Sequence, residues 1–267
     1  REEDTASRDL IKHFDGLTNI EATVDDNFWG PVGASGPCGP CVEFYYDSVE
    51  VGNVVFNEYM KDADGNYTPL EFQGVDTGLG FERIVTQLQR KNTIYDTDLF
   101  ADAINLIKAE AHSYDERRAR IIADHTKAAL YLLSDGVKPG NKGRDYIVRR
   151  LIRRAVRSAQ LIGFSGFSEL LESMITTFGE SRPLIEKNGK LAIEQFESER
   201  VKFLKTLEEG MRQLTKMTRT SESREITGEQ AFHLFETYGF PVELTQEMAE
   251  EAGWTVDTSS FEDQINE

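Results

Sequence analysis

A chain of 267 residues that is 39% apolar and 10% aromatic carries enough hydrophobic side chains for one sizeable core or two smaller ones, which excludes a disordered polypeptide and predicts two or three domain-sized pieces. A formal charge of −17 excludes nucleic-acid binding over the whole surface, because an acidic body repels phosphates beyond any local basic patch. No apolar run approaches the roughly 18 residues of a membrane span and no charged-then-apolar leader opens the sequence, so a cytoplasmic setting without membrane association is expected.

The chain opens on Arg1 rather than Met, so a fragment or a processed product is expected. Over residues 1–97, short β-like runs alternate with Gly and Pro: Cys41 to Tyr46, Val49 to Met60 and Pro69 to Val75 read as strands. Between the last two, Asp62-Ala63-Asp64-Gly65-Asn66 is a hairpin signal, since Gly and Asn tolerate the positive φ angles of a tight reversal. An antiparallel sheet follows. From Leu99 onward apolar residues recur at helical spacing, in Phe100 to Ala109, Arg117 to Ser134 and Tyr146 to Ile162, with a longer helix from about Leu191 to Met217. A last unit over Gly228 to Glu251 starts with a helix that ends near Thr237-Tyr238-Gly239, and Pro241 begins a new segment. The expected fold class is α+β, in three parts: residues 1–97 around the sheet, 98–225 all helical, and a terminal helical unit at 226–267. Cys38 and Cys41 make at most half a zinc site, and His13, His112, His125 and His233 lack ligand spacing, so no metal centre is expected.

The densest chemical signal is Gly74-Val75-Asp76-Thr77-Gly78-Leu79-Gly80-Phe81-Glu82-Arg83-Ile84, a strand that runs through glycines into a helix. Glycines allow a ligand close to the backbone, a helix N-terminus favours anions, and Arg83 in the first turn can neutralise a phosphate. A Gly-rich turn before a helix is also common with no ligand at all. The residues around it decide the matter. This string, with Asp26-Asn27-Phe28-Trp29-Gly30 and Gly36-Pro37-Cys38-Gly39-Pro40-Cys41-Val42-Glu43 upstream, resembles the alanyl-tRNA synthetase family of class II aminoacyl-tRNA synthetases, whose motif 3 has this form. Ile122-Ala123-Asp124-His125, Asp135-Gly136-Val137, Tyr146 to Ala155 and Thr237-Tyr238-Gly239-Phe240-Pro241 continue the resemblance in the same order.

The resemblance implies a partial class II antiparallel sheet holding the C-terminal part of a catalytic domain, then a helical tRNA-recognition domain. It implies alanine, ATP with Mg2+, and the acceptor stem of tRNA-Ala as ligands. In alanine binding it gives Asp76 to the α-ammonium, Gly78 to a pocket sized for one methyl group, Trp29 to the wall and Asn53 to an amide hydrogen bond. Val55, two residues from Asn53 on the same strand, faces the same side and supplies an apolar wall. In ATP binding it gives Arg83 to the triphosphate, with Gly80 and Glu43 beside it. The resemblance thereby makes Asp76 and Arg83 the expected catalytic pair.

A second constellation is electrostatic. Between Lys138 and Arg157 eight basic residues face the single acid Asp145, a local charge of +7 in a chain of −17. On a helix Arg149, Arg153 and Arg157 form one row and Arg150 with Arg154 the next, a basic stripe suited to the two backbones of an A-form stem. The competing reading is a helix face paired with acids from neighbouring helices. By resemblance, Asn141 and the residue before the Thr-Tyr-Gly turn read a G·U wobble pair near the acceptor end; that second residue is Glu236, where Asp is usual. Gly52 likewise stands where many members carry Trp, which opens space that another side chain must fill.

Class II motifs 1 and 2 are absent from this sequence. The expected function is alanine-tRNA ligase activity, incomplete in this chain alone and completed by an N-terminal segment or subunit, because a half-site cannot align carboxylate and α-phosphate for in-line attack. The alternatives are a non-catalytic tRNA-binding paralogue and an enzyme that joins alanine to another carrier. A paralogue that has abandoned the amino acid has no use for the pocket set and gains no thermal stability from alanine.

Overall fold

The computed structural model describes residues 13, 27–31, 33–220 and 223–266. Asp26 of the Asp-Asn-Phe-Trp string lies outside them. The chain divides into two compact units, residues 1–97 and 98–267.

In the first unit four antiparallel strands pair in chain order: β1 (Phe28–Trp29), β2 (Gly36–Tyr46), β3 (Val49–Lys61) and β4 (Tyr67–Leu79). The β3–β4 reversal closes where the turn residues predict it. Asp62 N–H donates to the Asn66 carbonyl at 3.0 Å, Asn66 N–H and its side-chain amide donate to the Asp62 carboxylate at 2.8 and 3.0 Å, and Gly65 takes φ 86°. Those hydrogen bonds, led by the Asn66 side chain, hold the Asp62 carboxyl below its ordinary value.

β2 is longer than the sequence predicts. The Gly36-Pro37-Cys38-Gly39-Pro40 run, ahead of the predicted start at Cys41, is strand with a register shift between Cys38 and Cys41. The bulge accommodates Pro40, which an unbroken ladder would reject. Cys38 and Cys41 are both buried, and the Cys38 thiol donates to the Tyr59 carbonyl at 3.5 Å. Burial first, and the nearby Glu43 and Glu50 charges second, push the Cys41 thiol up. After β4 come helix α1 (Phe81–Leu88) and a 3-10 turn at Ile94–Asp96 closed by a Thr93/Asp96 capping box.

The second unit runs through α2 (Ala101–Glu110), α3 (Glu116–Ser134), α4 (Gly143–Ile162), α5 (Phe167–Gly179), α6 (Pro183–Thr220), α7 (Gly228–Tyr238), α8 (Val242–Glu251) and α9 (Thr258–Asn266). Two-residue strands β5 (Glu225–Ile226) and β6 (Thr255–Val256) pair in parallel. Local signals set the ends: Asp115 caps α3 by accepting from Arg118 N–H at 2.7 Å, and Thr227 with Gln230 makes a capping box on α7. α6 begins eight residues before the predicted Leu191, at Pro183, a residue suited to a first helical turn whose N–H has no partner.

The core of this unit is aliphatic and aromatic, with Ile122, Leu130, Ile152 and Phe196 fully buried. Phe203 of α6 packs on Phe240 at 5.9 Å between ring centres. Through that contact and others described below, residues 226–267 belong to the same compact unit as the helices before them rather than standing apart.

Candidate active site and nucleic-acid interface

Cross-strand register assembles the first site. Directly opposed residues share a sheet face. Glu43 pairs with Asn53 and Asn53 with Gly78; Cys41 pairs with Val55 and Val55 with Asp76. Period-two alternation therefore puts Glu43, Asn53, Val55, Asp76 and Gly78 on one face, in two adjacent rows. A Cβ added at Gly78 would come to 3.1 Å from Asn53 Oδ1, so a glycine there leaves the Asn53 amide unobstructed. Trp29, on the edge strand, pairs with Gly39 across the bulge and is exposed. Asp76 is exposed. Its charge is in contact with solvent in this chain.

β4 then feeds α1 through Gly80, whose N–H donates to the Val51 carbonyl at 2.9 Å. Arg83, in the first turn of α1, donates from Nη1 to the Glu50 carbonyl at 2.9 Å and lies 3.1 Å from the Glu50 carboxylate. No ion pair joins Arg83 to Asp76 among the described residues. Glu43 accepts a 2.6 Å hydrogen bond from the Tyr45 hydroxyl. That bond, then the charges of Glu43 and Glu50, raise the Tyr45 phenol above its ordinary value, with Arg83 opposing. Tyr45 and Glu50 are register partners, so Tyr45, Glu43, Glu50 and Arg83 form one polar cluster. Sequence reading missed Glu50 and Tyr45, because their role depends on a pairing register that a second β2 bulge, between Phe44 and Tyr45, shifts. The cluster suits a nucleotide: Mg2+ is ordinarily held by one or two carboxylates together with the phosphates themselves, and Glu43 and Glu50 are the carboxylates at hand.

At Gly52 the expected space is occupied by a neighbouring side chain, Leu79, together with the Gly78 carbonyl. A Cβ there would meet Leu79 Cδ2 at 2.6 Å and the Gly78 carbonyl at 2.7 Å. The room is already taken, on the face opposite Asn53.

The arginine helix corrects the sequence reading most. The two rows lie on α4 as predicted, but their charges are engaged inside the unit instead of forming an open stripe. Arg150 pairs with Glu243 and Arg154 with Glu247, both on α8. Arg153 and Arg157 are buried, at 7% and 8% exposure. Arg153 donates from Nε and Nη2 to Glu199 of α6 at 2.7 and 2.5 Å, and from Nη1 to the Gly239 carbonyl. Arg149 lies 3.4 Å from Glu199 and donates to Asn141 Oδ1. Arg157 Nη1 donates to Gln160 at 2.8 Å. Burial lowers the pKa of Arg153 against the pull of Glu199, and that of Arg157 against Glu251. The physical reason is an acidic row: Glu243, Glu247 and Glu251 recur every four residues on α8, the same step as Arg150 and Arg154 on α4. That matching period was the available signal.

What remains open and cationic is the approach to α4. Lys138, Lys142 and Arg144 flank Asn141, all four are exposed, and none of the three cations makes an ion pair among the described residues. Glu236, exposed on α7, follows Phe235, whose ring packs on Tyr146 of α4 at 5.7 Å. The start of α4 and the end of α7 are therefore neighbours.

Known proteins similar to this chain identify its family. An alanine–tRNA ligase of Borreliella afzelii is 40% identical over 265 residues, 89% of this chain and 45% of that protein. Those of Petrotoga mobilis and Prochlorococcus marinus are 38% and 39% identical over 91% of this chain, but over only 31% and 30% of their own lengths. The chain thus spans less than half of the curated relatives it matches. The family model described as tRNA synthetases class II (A) matches residues 3–267, and the chain belongs to that family.

Proposed function

We propose that the chain carries the alanine- and ATP-binding half-site and the acceptor-stem-binding unit of an alanine-tRNA ligase. The observation that carries the reading is the register that aligns Glu43–Asn53–Gly78 and Val55–Asp76 on one face, directly ahead of the helix start bearing Arg83.

In the assembled enzyme an alanine carboxylate oxygen attacks the α-phosphorus of ATP, pyrophosphate leaves, and the alanyl group then passes to the terminal ribose of tRNA-Ala. Asp76 anchors the ammonium through a charge-assisted hydrogen bond, Val55 and Trp29 wall the methyl group, and Asn53 fixes the amino acid's orientation. Arg83 turns from Glu50 to the negative charge of the departing phosphates. Glu43 and Glu50 are the residues that would hold Mg2+ brought in with ATP, which would supply neutralisation of the phosphate charge. No side chain acts as a nucleophile. The relatives' greater length supports completion of the site by a further segment bearing motif 2. In the second unit the acceptor stem meets the Lys138–Arg144 approach, with Asn141 and Glu236 as readers of the wobble pair.

Alanine-dependent exchange of pyrophosphate into ATP tests the reading. The chain combined with a segment carrying motifs 1 and 2 exchanges, and the chain alone does not. No exchange by the combination defeats the proposal, and robust exchange by the lone chain defeats its half-site part.

A further inference from the structure

We infer that Glu199 is a positioning residue that, through Arg149 and Arg153, holds the Asn141 loop and the Glu236 end of α7 as one RNA-reading surface; the inference rests on the acceptor-stem reading above and deepens it. The Glu199 side chain is 4% exposed. A carboxylate this deep is tolerated only when cations and hydrogen bonds surround it. Two arginines one helical turn apart on α4 do so, Arg153 at 2.5 Å and Arg149 at 3.4 Å.

Each arginine also reaches a second segment. Arg153 Nη1 donates to the carbonyl of Gly239, the left-handed residue that ends α7 three positions after Glu236. Arg149 Nη1 donates to Asn141 Oδ1. Guanidinium has no acceptor, so the amide atom it faces must be the carbonyl oxygen, and the Asn141 NH2 is the free end. Asn141 is exposed and makes no other hydrogen bond among the described residues. The network therefore sets the chemistry of the reader: Asn141 presents donors, suited to acceptor atoms on base edges or ribose hydroxyls of the shallow groove of an A-form stem. The Tyr146–Phe235 contact keeps the two elements packed while the carboxylate fixes both ends.

The test is binding of the full chain, at fixed salt, to two acceptor-stem duplexes that differ only in a G·U versus a G·C pair. Asn141→Ala lowers the G·U over G·C preference on the order of tenfold, the loss of a hydrogen bond at a reading position. Arg149→Met lowers it similarly, and the two together do little more than either. Arg149→Met keeps the buried Glu199–Arg153 pair and so separates positioning from folding; Glu199→Gln, checked for its folded state, follows it in direction. A merely structural role weakens both duplexes alike. If Arg149→Met leaves the preference intact while Asn141→Ala removes it, or if their effects add in full, the positioning role is overturned and the acceptor-stem reading stands. If Asn141→Ala leaves the preference unchanged, or neither duplex binds, that reading fails and the inference with it.

Discussion

Asn53 on β3 lies directly opposite Gly78 on β4, and among the described residues beyond its chain neighbours the one atom within 4 Å of a Cβ at position 78 would be the Asn53 amide oxygen, at 3.1 Å. The strand is otherwise open there, so Gly78→Ala should leave folding within about 0.5 kcal/mol of the parent. In the assembled enzyme it should still raise the KM for alanine, because the new methyl displaces the amide and fills the pocket. Steady-state pyrophosphate exchange across alanine concentrations measures this; an unchanged KM would remove Gly78 from the pocket.

Asp76 is exposed, so Asp76→Asn should not change the unfolding midpoint of the chain measurably. It removes the charge proposed to face the alanine ammonium, and a hydrogen bond to a charged group is worth about 1.5–3 kcal/mol. Alanine affinity in the assembled enzyme should fall roughly ten- to a hundredfold, read by alanine-dependent thermal stabilisation. Retention of that stabilisation would take the carboxylate out of amino-acid recognition.

Gly239 and Gly253 both adopt left-handed backbone, at φ 66° and 76°, but a Cβ at 239 would collide with Arg153 Nη1 whereas at 253 nothing among the described residues lies within 4 Å. Gly253→Ala should cost only the conformational penalty of about 1–2 kcal/mol. Gly239→Ala adds displacement of a buried guanidinium and should cost more, by roughly 1–3 kcal/mol. Urea denaturation of the two variants compares them directly, and equal costs would contradict the Arg153–Gly239 contact.

Reversing Arg150 and Arg154 to Glu places like charges against Glu243 and Glu247, and should destabilise the helical unit by about 1 kcal/mol or more per pair. The further changes Glu243→Arg and Glu247→Arg should restore it. RNA affinity should depend instead on the approach to α4: Lys138→Glu, Lys142→Glu and Arg144→Glu together should weaken acceptor-stem binding and flatten its salt dependence, each phosphate contact contributing just under one unit of slope. A salt slope that responds to Arg150 and Arg154 in the charge-swapped, refolded variant, and not to the loop, would return the stripe to the RNA interface.

Burial first, and then Glu243, raises the Tyr146 phenol from 10.0 to about 12, with Arg150 opposing. In the unfolded chain it ionises near its ordinary value. The resulting stability is fully present below about pH 10 and is lost as pH rises through about 12, since only the native state retains the proton in that window. Tyr146→Phe should flatten the fall in unfolding free energy over this range, measured by denaturant titration at stepped pH. An unaltered slope would mean that Tyr146 is solvated.

Local grammar made much of this molecule legible. Asp62 to Asn66 marks its own turn, the Gly74–Arg83 string declares a strand that becomes a helix, and two-residue spacing places Asn53 beside Val55 before any coordinates are known. What escaped depends on partners distant in sequence. The α4 arginines show their period in the sequence, but whether a row of cations faces solvent is settled by what docks on it, here Glu199 of α6 and the acidic row of α8. Glu50 and Tyr45 escaped for a related reason: bulges in β2 shift which residues meet, and no alternation rule reports a shift.

At Gly52 the β3 backbone comes so near β4 that any side chain would have to move the Gly78 carbonyl as well as Leu79. Position 52 lies on the face away from Asn53, behind the row of residues assigned to the proposed alanine site. Enlarging residue 52 would press on that row from behind and alter amino-acid selectivity, with every side chain of the proposed site chemically intact.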